Sequence, residues 1–135
     1  MKKEHIDMLI ITSQLRIRHT DTERIKSIIK SAEINAAVVK NIPLTDDSAT
    51  VVFREMYESI RQLGDAQWWF LGFEALNHEV SLKILQEMNT RDRVKLNYLT
   101  RFKKIRNDIN YRGFRASVLQ ANEITDFWNS CGRRL

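Results

Sequence analysis

Proline occurs once in the 135 residues, at Pro43, and glycine four times. Chains built of many short strands need frequent turns, and turns draw on these two residues. Their scarcity argues against a β-sandwich or barrel and for long helices joined by few loops. Cysteine also occurs once, at Cys131, so no internal disulfide framework exists. A lone thiol fits a reducing compartment. The apolar run Met8-Leu9-Ile10-Ile11 is too short for a signal core and has no small-residue cleavage site after it. No stretch approaches the roughly 20 apolar residues of a membrane span. The expectation is a soluble, cytoplasmic protein without membrane association. His5, His19 and His78 are scattered, and no Gly-rich phosphate loop occurs. Neither a metal nor a cofactor is expected.

What is present suits one domain over residues 1–135, long enough to bury a core without staples. No repeat or linker interrupts it. Apolar residues at helical spacing predict a first helix over 4–17, around Ile6, Leu9, Ile10 and Ile17. Thr20-Asp21-Thr22-Glu23 reads as a capping box opening a second helix to about Lys40, ended before Pro43. From Ala49, the series Val52, Met56, Ile60 and Leu63 gives a third helix. Gly64 either terminates it or Asp65 caps a continuation through Trp68-Trp69-Phe70-Leu71. That continuation is apolar nearly all round and is expected to be the most buried stretch. Trp68 and Trp69 read as core or dimer interface rather than a ligand cage. Asn77 caps a short helix through Met88, and Asn89 or Thr90 opens the next, which Gly113 closes. A last helix runs from about Ala116 to Trp128, followed by a frayed tail with Arg133 and Arg134. The fold class is therefore all-α: four to five main helices plus short ones.

Charge is unevenly spread. Residues 1–89 hold 11 Lys+Arg against 13 Asp+Glu, whereas residues 90–115 hold 9 against 2. The whole positive excess sits in one short segment, which favours an anionic partner, with phosphate the obvious candidate. The plain alternative is a solvated basic face. Within the segment, Arg106-Asn107-Asp108-Ile109-Asn110-Tyr111-Arg112-Gly113 carries the densest chemistry. Arg106 and Asn110 lie four apart, as do Asn107 and Tyr111, beside the apolar edge of Ile105 and Ile109. Arginine can clamp a phosphate in two-point geometry. Asparagine can orient it, and tyrosine can stack on a base or donate its phenolic proton. The structural alternative has Arg106 paired with a carboxylate and Tyr111 in the core. Arg101, Lys103, Lys104, Asn110 and Arg112 would supply the surrounding nucleic-acid-binding field.

These residues resemble the HEPN signature, an arginine followed by a polar residue and, four to six residues beyond the arginine, a histidine. Arg106 matches the arginine and Asn107 the polar position, while Tyr111 stands where the histidine usually is. Two upstream runs are also similar to a prokaryotic HEPN-like subgroup: 53–66, Phe-Arg-Glu-Met-Tyr-Glu-Ser-Ile-Arg-Gln-Leu-Gly-Asp-Ala, and 72–79, Gly-Phe-Glu-Ala-Leu-Asn-His-Glu. The resemblance spans roughly residues 20–115. It implies an up-and-down helical bundle that pairs as a homodimer and binds RNA or nucleotide. It further implies metal-independent ribonuclease activity of toxin or defence type, or pairing with a nucleotidyltransferase. Tyr111 departs from the pattern. Histidine titrates near neutral pH and suits proton transfer; a phenol with a pKa near 10 does not. Tyr111 would then position phosphate or donate a proton, and His78 is the reserve acid–base group. The non-catalytic expectation is an interaction module in which Arg106, Asn107 and Tyr111 fix helix register. In that reading, Glu79 pairs with Arg106.

Overall fold

The computed structural model describes residues 1–88 and 93–130, of which residues 88 and 93–96 are described by their backbone alone. Six helices and one two-stranded sheet make up the described residues: α1 (Lys3–Ile11), β1 (Leu15–Ile17), α2 (Thr22–Lys40), α3 (Ala49–Phe70), β2 (Phe73–Ala75), α4 (His78–Met88), α5 (Arg93–Arg112) and α6 (Val118–Ser130). The chain is thus all-α in class. The expected helix start at Asn89 or Thr90, together with Cys131, Arg133 and Arg134, lies outside the described residues. No helix among the described residues is long and apolar enough to cross a membrane.

α3 is the centre of the molecule, and α2, α4, α5 and α6 all pack against it. The α2 and α3 helices run antiparallel. Ile25 and Ile29, early in α2, line one small cleft together with Leu63 and Phe70, late in α3. Asn35, late in α2, donates to the Glu55 carbonyl and the Ser59 hydroxyl, both at 3.1 Å. Phe102 of α5 packs edge-on to Phe53 of α3 at 5.9 Å and to Phe127 of α6 at 5.5 Å. These contacts seat the basic helix on the core.

α4 is locked onto α3 by a close approach. Gly64 sits beneath the Ser81 backbone, where a Cβ would lie 1.9 Å from the Ser81 carbonyl oxygen. The Trp68 indole N–H donates to the Val80 carbonyl at 2.8 Å, and the Ser81 hydroxyl donates to Asp65. Asn77 caps α4 as expected, its side-chain oxygen accepting from the Val80 amide at 2.9 Å. Trp68→Phe keeps most of the bulk but removes the indole N–H that ties the Val80 carbonyl of α4 to α3. It is expected to cost about 2 kcal/mol, read as a lower urea midpoint with an unchanged slope.

Four expectations are corrected. The helix predicted over 4–17 stops at Ile11. Ser13 takes a positive φ of 59°, and Leu15–Ile17 pairs antiparallel with Phe73–Ala75. The second helix is capped by Asp21, not Thr20: the Asp21 carboxylate accepts from the Arg24 amide at 3.0 Å. The Trp68–Leu71 stretch is not uniformly buried. Trp68 and Trp69 are in the core, but Phe70 and Leu71 are exposed where α3 ends. The last helix begins at Val118 rather than Ala116 and runs to Ser130. Ser117 and Gln120 bond reciprocally at its start, side chain to amide, at 3.0 and 3.1 Å.

Candidate functional site

α3 carries a charged stripe beside its apolar face. Glu58, Arg61 and Asp65 follow at spacings of three and four, so they stack on one face. The Arg61 guanidinium bonds Glu58 through Nε at 3.0 and 3.2 Å, and Asp65 through Nη1 at 2.6 Å. Arg61 is 16% exposed at its side chain. Burial works against its charge, but the two carboxylates outweigh it and raise its pKa. The hydrogen bond from Arg61 holds the Glu58 carboxyl low in spite of burial. Burial pushes Asp65 up, against the pull of Ser81 and Arg61. Arg61 is therefore fully engaged within the fold.

Arg106 is held differently. Its guanidinium lies over the Tyr57 ring, 5.7 Å from the centroid. With the Asn110 amide oriented to accept, its oxygen takes bonds from Arg106 Nε at 3.1 Å and Nη2 at 3.3 Å. No carboxylate among the described residues forms an ion pair with it. Glu79, the partner expected in the structural alternative, is instead bonded by Lys103 Nζ at 2.8 Å. That bond draws the Glu79 carboxyl down.

His78 opens α4 at the edge of the same cluster. Burial lowers its pKa first, and the Arg61 and Arg106 charges lower it further, with Glu58 and Asp65 opposing. The imidazole is therefore neutral at pH 7. Burial also pushes the Tyr57 phenol up to about 12, against the lowering pull of Arg106 and Arg61.

Of the residues singled out in the sequence, Arg106, Asn110, Lys103 and His78 gather at this junction of α3, α4 and α5. Tyr111 does not. Five residues turn a helix by about 140° from the starting face, and Tyr111 is 79% exposed, so it is not core either. Asn107 is half-buried on the neighbouring stripe with Tyr111. The basic field divides across the apolar stripe of Phe102, Ile105 and Ile109. Lys103 and Arg106 flank α4, whereas Arg101 bonds Glu123 of α6 and Arg112 leans toward Asp108 at 3.9 Å. Lys104 is exposed. A separate groove lined by Glu33, Ala37, Lys40, Asn41 and Trp128 holds none of the predicted residues. No group of three metal-ligating side chains occurs among the described residues.

Sequence reading missed Tyr57, Glu58, Arg61 and Asp65. The signal was there: three charges at helical spacing beside Met56, Ile60 and Leu63. No family model, curated protein or solved structure matches the chain at a significant level.

Proposed function

We propose that this chain is a HEPN-like RNA- or nucleotide-binding protein, an up-and-down bundle acting as a homodimer, whose α3–α4–α5 junction receives a phosphodiester. The observation that carries the reading is Arg106. It is oriented by Asn110 and Tyr57 and paired with no carboxylate among the described residues, so its charge is available to an anion. The resemblance of the Arg106–Tyr111 segment to the HEPN signature supplies the substrate class.

Metal-independent scission is the activity this site would support. The neutral His78 imidazole takes the proton of the ribose 2′-hydroxyl. The 2′-oxygen then bonds to phosphorus, the bond to the 5′-oxygen breaks, and the leaving oxygen takes a proton from water. Arg106 holds the charge on the phosphate throughout. Only neutral imidazole accepts a proton, so cleavage rises with pH to a plateau, with a midpoint below histidine's ordinary 6.5. His78→Asn removes that acid limb along with the activity.

A second reading is favoured by Ile34 and Val38, exposed one turn apart on α2. Here the chain is a non-catalytic module pairing with itself or a nucleotidyltransferase. Incubation with total RNA in excess EDTA separates the two. Cleavage supports the enzyme, retained RNA binding without cleavage supports the module, and loss of both removes the RNA reading.

A further inference from the structure

We propose that Tyr57 is a ligand-binding residue whose phenolic O–H donates to a phosphate oxygen of RNA held by Arg106. This rests on the reading of the Arg106 junction as a phosphodiester site and adds to it a second donor.

The Tyr57 side chain is 3% exposed, yet among the described residues its hydroxyl has no hydrogen-bond partner. A phenol this enclosed ordinarily finds one. Every fully enclosed side-chain polar atom among the described residues is satisfied. The unpartnered Tyr57 oxygen is therefore not fully enclosed and keeps some contact with solvent. Phenylalanine would fill the same core volume without an idle hydroxyl, so packing does not account for the oxygen.

The ring also stands in the right place. The Arg106 guanidinium lies over it, 5.7 Å from the centroid, and the charges of Arg106, Arg61, Glu58 and Glu79 all act on the phenol. Arg61 is occupied by Glu58 and Asp65, and Glu79 by Lys103. Arg106 and the Tyr57 hydroxyl are left as neighbouring donors. The phenol stays protonated across the physiological range, so it donates and does not act as a base. A neutral donor beside a fixed cation selects an anionic oxygen acceptor, which a backbone phosphate presents.

The test is Tyr57→Phe, with binding of a short fluorescein-labelled, 2′-O-methylated single-stranded RNA read by anisotropy across a salt series. The methylated ribose cannot be cleaved, so binding alone is measured. Loss of a hydrogen bond to a charged acceptor predicts affinity weaker by about tenfold. The slope of log affinity against log salt should not change, because no charge is removed. The thermal midpoint should also stay where it was, since the unliganded chain has no partner for the phenol to lose. Wild-type affinity in Tyr57→Phe, with Arg106→Ala weakened, overturns the role of Tyr57 and leaves the site standing. Wild-type affinity in both variants overturns the site as well. A lowered midpoint in Tyr57→Phe reveals an internal partner and equally overturns the proposal.

Discussion

Gly64→Ala is expected to destabilise the protein by about 4 kcal/mol, beyond the usual range for overpacking because the clash is with backbone. Helix propensity alone predicts the opposite, since alanine in a helix interior is favoured over glycine by about 1 kcal/mol. The contact decides the sign. The new methyl would lie 1.9 Å from the Ser81 carbonyl oxygen and 2.7 Å from its carbon. Neither atom can swing aside as a side chain would, so α4 has to move off α3. That movement breaks the Trp68–Val80 and Ser81–Asp65 hydrogen bonds together. It also displaces His78 from the junction, so RNA cleavage should fall further than the loss of folded protein explains. Urea denaturation reads the first effect and activity per folded molecule the second. A variant more stable than the parent would show that the two helices do not meet as described.

Arg106→Ala is expected to weaken RNA binding by about 10- to 100-fold, the span for losing a charge-assisted hydrogen bond. The salt slope should fall by about one unit, as for one lost phosphate contact. Fold stability should be little changed, because no carboxylate among the described residues is left without its counter-charge. Arg106→Lys should recover the slope but only part of the affinity: an ammonium keeps the charge and loses the fork that engages Asn110 and the plane that lies over Tyr57. Anisotropy across a salt series distinguishes these outcomes. Unchanged affinity and slope in the alanine variant would take away the phosphate contact.

The long helices were legible because their apolar residues repeat with the helical period. The third helix was ambiguous only at Gly64, and the reason is tertiary. The glycine is there for the approach of α4, which local sequence cannot reveal. The β1–β2 ribbon was hidden for a similar cause. Leu15 and Ile17 continue the apolar run of the first helix, and only Ser13, in a left-handed conformation, turns the chain away. Ser117 and Gln120, by contrast, form a capping pair that the sequence displays and that fixes the last helix two residues later than its apolar pattern suggests.

The site divides along the same line. Arg106 and Asn110 are four apart and meet as their spacing dictates. Tyr111 is five from Arg106, and helix geometry turns it away, so a signature read as a string overstates what one helix can bring together. His78, Tyr57 and the Glu58–Arg61–Asp65 stripe reach the junction through the packing of α4 and α5 on α3. Spacing shows that the three charges share a face. It does not show which helix will cover them.

The central claim is that an anion enters at the junction of α3, α4 and α5. Titrating uncleavable RNA into nitrogen-15-labelled protein tests it most directly. The account predicts that shifted amides gather at residues 57–61, 78–81 and 103–110, and that the Arg106 Nε–H signal moves with them. Shifts confined to the Arg101 and Arg112 flank, or to the groove beside Trp128, with Arg106 unmoved, would contradict it.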